Sequence, residues 1–568
     1  MKLFSRTAFV TVFVWLLVVA MAGVSVPLLY KLGMRSVCYA DVAGFLEAVR
    51  DPVPGGALRW CAGYGMSLWS VPWLGGGCFV AVGVGVGALW RWATGRWTWS
   101  FIPFAVVVWQ VAYCGFSVWL FKDATFPLMA LLTYGVVLFV AGAVRRWGAW
   151  SWVAVALYPW VGMGALVGVV LGSVARRGGR RRICFAVGSV VVAVATVAAY
   201  QRFSFADPAW SCLLMANLPL LAEADATLWN CASCTVPLMF LVAQAVLPCR
   251  AVLTSWALAA LFLVSVWFGM DRVSPLYDLL RCERALAAND LRPILELSET
   301  QVQRHRMLMA YWIYAQWQKG KLSETLFEMS VPVSHEKSTI EMMELDGYTL
   351  LYHYGLVQLA RRWCYESVIN KGWSGDKYAL LARCALICDE PALAMKSLEQ
   401  LKRIPFRRAE AERLERLDVE KEMRIVAERH RRLCADSGSP VFEGEKRLES
   451  GIYNRYAVLK NGSPEMIELY LCASLLRKDT KPFLENYDVI LKVWQQRPLP
   501  KAFQQALLAA AAEVPPEQQP HLTDDLFSPE TVSLFMEFRQ AAPNAAQSRE
   551  AFYQKYRHSY WFYALFVP

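Results

Sequence analysis

Apolar runs of about 20 residues, enough to cross a bilayer as a helix, recur through the first half of the chain between short basic or Gly/Pro-rich connections. They lie at 7–30, 71–90, 101–121, 126–144, 149–175, 183–200, 231–248 and 251–270. The pattern predicts about eight hydrophobic helices and a polytopic α-helical membrane domain over 1–270. After Met270 apolar and charged positions alternate at helical spacing, with almost no period-two pattern, so 271–568 reads as a soluble α-helical domain. The fold class predicted for the whole chain is all-α.

Within the second half, Leu380, Leu381, Cys384, Ala385 and Ile387 lead to a turn at Asp389-Glu390-Pro391. A second helix through Ala392, Leu393, Ala394, Leu398 and Leu401 closes at Pro405. A helix, an acidic turn, an Ala-rich helix and a proline, in a unit near 30 residues, form a tetratricopeptide-like hairpin. Degenerate relatives fall at 307–329, 348–370 and 466–494, and such hairpins bury their apolar faces only by stacking. The stretch 407–432 reads as a charged, solvated helix. Pro515, Pro516 and Pro520 mark a loop before two last helices, 528–541 and 548–566. The tail Tyr560-Trp561-Phe562-Tyr563 reads as packing at the end of the repeat array in preference to an interfacial anchor.

Composition agrees with this division. Of 568 residues 56% are hydrophobic, above the roughly 45–50% of soluble domains, and the formal charge is +11. Residues 1–270 hold 18 basic and 7 acidic side chains, whereas 271–568 hold 40 of each. The excess is a membrane charge pattern and gives no support to nucleic-acid binding. Eighteen of the 24 tryptophans lie in the apolar half, many at segment ends (Trp90, Trp92, Trp97, Trp99, Trp147, Trp150), as in an interfacial belt.

Lysine and arginine also predict orientation. With the N-terminus inside and eight single crossings, Arg176, Arg177, Arg180, Arg181 and Arg182 would fall outside, against the positive-inside rule. Either the N-terminus is outside, or 149–175, which carries Pro159, Gly162, Gly164, Gly168 and Gly172, folds as a broken or re-entrant hairpin. The second is preferred. Both solutions place the C-terminal half outside, which in a bacterial inner membrane means the periplasm; a cytoplasmic C-terminal half is the remaining alternative. Lys2 and Arg6 precede an apolar run ending in Ala20-Met21-Ala22, which resembles a signal-peptidase site; with further segments following, it reads as an uncleaved anchor.

Candidate chemistry is sparse. Gly83, Gly85 and Gly87 lie inside an apolar span with no preceding strand, so they read as helix packing rather than a dinucleotide loop. Gly164, Gly168 and Gly172, four apart, suit close helix contact. The seven acidic residues of the apolar half (Asp41, Glu47, Asp51, Asp123, Asp207, Glu223, Asp225) all fall in connections, and the six histidines lie beyond residue 300, which weighs against an ion-coupled carrier. Cys231-Ala-Ser-Cys234 has redox spacing without thioredoxin-like context. No catalytic, cofactor-binding or metal-binding residue is assigned, and no cofactor is expected.

The connection Tyr39-Ala-Asp41-Val-Ala-Gly-Phe45-Leu-Glu47 through Pro54-Gly55-Gly56 combines a short amphipathic helix with a turn, and Pro72-Trp73-Leu74-Gly75 opens the next span. Gly320-Lys321-Leu322 and Tyr352-His-Tyr-Gly355 through Glu366 follow in the second half. Together these resemble a family of Bacteroides-type membrane proteins known only as domain of unknown function 6057. The resemblance implies an envelope membrane protein with a helical C-terminal region, and no activity. Departures are the Arg-rich stretch 176–182 and the unusually Trp- and Gly-rich first half.

Two functions follow as expectations. The first, which is not an enzyme, is a membrane-anchored helical-repeat scaffold that contacts the lipid bilayer and binds envelope proteins through its C-terminal half. The second is a multi-pass glycosyltransferase using a lipid-linked sugar, with Asp41 as base and Arg35 or Arg50 near a phosphate.

Overall fold

The computed structural model describes residues 6–24, 26–35, 38–39, 41–50, 53–97, 99–114, 125–147, 151–175, 179–203, 277–329, 347–416, 421–435, 463–515, 521–544 and 549–567. Among them every regular element is helical and none is a strand. Contacts divide the chain into two compact units along a different line from the composition change at Met270. The first holds Met1–Tyr277 together with Val368–Ala382 and Ala392–Asp418; the second holds Asp278–Ser367, Arg383–Pro391 and Val419–Pro568.

In the first unit two helices, Pro72–Thr94 and Phe126–Trp147, are long and apolar enough to cross a membrane. Shorter apolar helices occupy Thr11–Ala20, Met163–Val174 and Val187–Phe203. The expected segments 231–248 and 251–270, with Cys231 and Cys234, lie outside the described residues. Pro72 starts its helix at the first turn, where its missing N–H is no loss, and Gly95 ends it at φ +79°, donating its N–H to Arg91 O at 2.7 Å.

Phe126–Trp147 is the axis of this unit, because small residues on its neighbours let backbones approach it. A Cβ on Gly168 would stand 2.8 Å from Val140 Cβ, and one on Gly172 only 2.7 Å from Ala141 O. Gly164 faces Thr133 in the same way, at 3.0 Å. These pairings rise together along both chains, so Met163–Ala175 runs parallel to Phe126–Trp147. Pro72–Thr94 is parallel to it as well: Gly135 packs on Val86 and Leu89, Arg145 Nη1 donates to Ala93 O at 2.7 Å, and Arg146 Nη2 donates to Trp92 O at 3.1 Å. The C-terminal ends of the three helices therefore gather at one basic end of the unit.

The predicted break in 149–175 is present. Gly162 at φ +74° separates Ser151–Val161 from Met163–Ala175, and Pro159 lies inside the first of these helices. Chain length fixes the direction of that first helix. Ser151 is four residues past Trp147 and so within about 14 Å of it, whereas Gly164 stands beside Thr133, roughly 20 Å up the axis from Trp147. Ser151–Val161 thus climbs from the basic end and Met163–Ala175 descends to it. The broken turn frees Pro159 O, which accepts from Gly55 N at 2.8 Å. Gly179–Phe203 then climbs again, with Ser173 and Ser189 hydroxyls paired at 2.8 Å and Tyr158 edge-on to Tyr200.

The glycines and tryptophans divide by place. Gly83 and Gly87 receive the Phe104 and Trp15 rings, as close packing requires, whereas nothing lies within 4 Å of Gly85. Trp90 and Trp99 are buried, a departure from the interfacial belt, because Trp90 is enclosed by the bundle; Trp97 and Trp147 are exposed.

The second unit is built around Lys501–Glu513, whose Ala502, Phe503, Ala506, Leu507 and Ala510 are all buried. It packs against Leu322–Thr325, Lys481–Glu485, Pro529–Ala541 and Tyr560–Phe566. Gln505 ties down the aromatic tail: its Oε1 accepts from Tyr560 N at 2.8 Å and its carbonyl from Trp561 Nε1 at 3.0 Å. The tail is packing, with Tyr560 and Trp561 buried. Helix pairs occur where the repeats were expected, but with unequal arms: Arg306–Gln318 precedes the one-turn Leu322–Thr325, and Tyr348–His353 precedes Val357–Lys371. The expected helix 548–566 is two, Arg549–Tyr556 and Tyr560–Phe566, because the Ser559 side chain caps a new start by accepting from Phe562 N.

The stretch 407–432 also departs from a single solvated helix. It comprises Arg408–Glu415 and part of Lys421–Ala435, and Ala411, Leu414, Met423 and Val426 are buried.

Gly172→Val is expected to lower the thermal stability of the protein by about 1–3 kcal/mol through overpacking. Gly85→Ala, in open space, is expected to be neutral or to raise it by up to about 1 kcal/mol; equal losses in unfolding midpoint for the two would contradict the packing assignment.

Candidate functional site at the Asp41 and Arg403 junction

Asp41 precedes the helix Val42–Val49 with extended backbone (φ −106°, ψ 165°) and accepts from Gly44 N at 2.7 Å, the geometry that makes Asp a favoured N-cap. Its other carboxylate oxygen accepts from Arg403 Nε at 3.0 Å. Arg403 ends the helix Pro391–Arg403, so residues 362 positions apart in sequence meet within the first unit. The guanidinium lies over the Tyr39 ring, 4.1 Å from its centroid, and Arg403 Nη1 donates to Gln400 Oε1. Tyr39 and Tyr378 hydroxyls are 3.1 Å apart, and Tyr39 O accepts from Trp60 Nε1. Tyr378 stacks on Trp373 at 4.5 Å.

Beneath this layer Arg407 is buried and forms ion pairs with Asp376 at 2.9 Å and Glu410 at 2.8 Å, and its Nη1 reaches Met34 Sδ. A buried guanidinium is stable only with such partners, and removing one would strand a charge. Nearby, burial first, then Cys61 and Asp41, pushes the Cys38 thiol up to about 12. Its Sγ donates to Trp60 O.

The electrostatics define what Asp41 can do. The hydrogen bond from Arg403, then that from Gly44, holds its carboxyl below the usual Asp range. Both oxygens are engaged and the group is a weak proton acceptor. Neither expected arginine is its partner: Arg50 is exposed at the C-cap of Val42–Val49, and the Arg35 side chain lies outside the described residues. Sequence reasoning missed Arg403, Tyr378 and Arg407, since nothing local marks a helix-ending arginine as the partner of a distant loop. Asp51, Asp123, Asp207, Glu223 and Asp225 lie outside the described residues, and Glu47 falls within the short helix.

In the second unit, Arg429 gathers a second cluster by itself. Its guanidinium donates to His353 O at 2.8 Å and Gln318 Oε1 at 2.7 Å, and lies 4.7 Å from the Trp317 ring centroid. Gly355, at φ +85°, leaves no room for a side chain, since a Cβ would meet Arg429 Cβ at 2.6 Å. Burial, then Arg429 and Arg383, lowers His353 to about 3. Burial lowers His305 to about 4. Among the described residues, no group of three or more His, Cys, Asp or Glu could hold a metal ion.

A family model for a family of unknown function, DUF6057, matches residues 6–567, spanning both clusters. The chain belongs to DUF6057. No curated protein and no solved structure matches it. In this DUF6057 protein both clusters draw on residues of the family-like stretches: Tyr39 and Asp41 meet Arg403, and His353 and Gly355 pack against Arg429.

Asp41→Asn retains a capping side chain but removes the ion pair, so it is expected to cost less stability than Asp41→Ala, which loses the cap as well, typically about 1 kcal/mol. Equal losses in thermal unfolding would show that capping is not its role.

His353 is neutral in the fold and titrates near 6.5 when unfolded, so below that pH the unfolded chain takes up a proton that the native chain refuses. Stability of the second unit is therefore expected to fall between pH 6.5 and about 3, with a slope of up to about 1.4 kcal/mol per pH unit from this group. His353→Gln should flatten the dependence measured by denaturant titration; an unchanged slope would remove His353 as its source.

Proposed function

We propose that this DUF6057 protein is a multi-pass protein of a bacterial inner membrane whose C-terminal helical half lies on the periplasmic face and serves there as a scaffold for envelope proteins. The observation that carries this reading is the polarity of the first unit. Arg145 and Arg146 bind the end of Pro72–Thr94, Met163–Ala175 descends to the same end, and Gly179–Phe203 starts there with Arg180, Arg181 and Arg182 in its first turn. Asp41 lies at the other end, since the helix Gly56–Ser67 beside it packs Gly65 on Leu128 and Gly63 near Thr125.

By the positive-inside rule the basic end is cytoplasmic. Asp41, and with it the 392–418 segment held by Arg403, then belongs outside. The apolar segments 231–248 and 251–270, if each crosses once, are an even pair and return the chain to that side. No further apolar span follows Met270, so the helical half stays there.

Membrane placement is supported by the outward face of Gly179–Phe203. Val187, Val190, Val191 and Val194, at helical spacing, are 46–61% exposed. In water that stripe would be a costly apolar patch; in lipid it is an ordinary surface. The helices packed about Lys501–Glu513, read as part of a tetratricopeptide-like array, would supply the extended contact surface of a scaffold. A glycosyltransferase would need Asp41 as a base, and Arg403 makes it a poor one.

An alkaline phosphatase fused after Pro568 is expected to be active in the periplasm; an inactive fusion alongside active cytoplasmic reporters would overturn the orientation. Cross-linking of the full chain in native membranes should recover discrete proteins through the C-terminal half, and recovery of none would remove the scaffold. Asp41→Ala should leave envelope glycan profiles unchanged; their loss would favour the enzyme instead.

A further inference from the structure

We propose that the helix Val42–Val49 docks on the phospholipid headgroup region of the periplasmic leaflet, an inference that rests on the membrane reading above. Val42, Phe45 and Leu46 stand at positions i, i+3 and i+4, one face of the helix, and are 75%, 39% and 43% exposed. That face is held in place by three contacts. Asp41 caps the helix and is tied to Arg403. Gly44 presses its backbone on Tyr39, where a Cβ would come within 2.6 Å of Tyr39 Cβ and 2.7 Å of its carbonyl. Phe45 meets Trp60 edge-on at 5.2 Å. The apolar residues are thus oriented outward by fixed packing.

Position and chemistry select phospholipid as the occupant. The helix packs on Gly56–Ser67, at the end of Phe126–Trp147 remote from Arg145 and Arg146, where the apolar bundle ends. In line with Phe45, Trp60 stacks on Tyr64 at 5.6 Å, and Tyr64 is 39% exposed. Rings with one polar atom are suited to the layer between acyl chains and headgroups. Arg50, exposed at the C-cap of the same helix, offers positive charge to the headgroup phosphates. An outward apolar face with a basic end is the pattern of an interfacial helix.

The test uses the full chain in nanodiscs of phosphatidylethanolamine and phosphatidylglycerol, with a photoreactive diazirine residue replacing, in turn, Val42, Leu46, Val191 and Glu412. Lipid adducts are quantified by mass spectrometry. Adduct yields at 42 and 46 are expected within about threefold of that at 191 and at least tenfold above that at 412. Labelling at 191 with none above the 412 level at 42 and 46 would overturn the proposal and leave the membrane reading intact. Adducts from 42 and 46 to protein instead of lipid would overturn it in favour of a protein contact. Loss of labelling at 191 too would overturn the membrane reading itself.

Discussion

Backbone approach at the helix Phe126–Trp147 governs the first unit. Its neighbours reach it through Gly164, Gly168 and Gly172, at positions where a Cβ would stand 2.7–3.0 Å from the nearest atom. Contact this close is carried by van der Waals packing between the backbones and the small side chains beside them. Larger residues at these three places would push Met163–Ala175 outward. The hydroxyl pair Ser173 and Ser189, and with it the placement of Gly179–Phe203, depends on that helix. Arg145 and Arg146 complete the arrangement from the side by satisfying carbonyls that the end of Pro72–Thr94 leaves open.

The local grammar of the chain was readable wherever one residue type has one physical use. Pro72 at a helix start, the glycines spaced by four, and the break between Pro159 and Gly164 all stand where sequence places them. The short amphipathic helix after Tyr39 is present as Val42–Val49. Periodicity also found the helical character of the second half. It did not find helix lengths there: Leu322–Thr325 stops after one turn although the apolar pattern continues to Phe327, because tertiary packing decides where such a helix ends.

The pairing of Asp41 with Arg403 was not readable. Asp41 announces itself as an N-cap, and a basic residue near a helix end has an ordinary reason to be there, through the helix dipole and the open carbonyls. Each residue has a sufficient local explanation, and the contact between them appears only in three dimensions. Arg407 is the sharper case: set in a run of charges that looks solvated, it is buried between Asp376 and Glu410. Charge density in a sequence does not reveal which member of a run turns inward.

The bond from Gly55 N to Pro159 O carries a consequence for the order of assembly. It joins two short helices whose approach paths are opposite: Gly56–Ser67 comes from the Asp41 end and Ser151–Val161 climbs from the arginine end. The earlier piece is synthesised about a hundred residues before its partner, so the Gly55 N–H waits for its acceptor, Pro159 O, while Phe126–Trp147 is laid down. That seam can close only once 151–175 has been added to the chain.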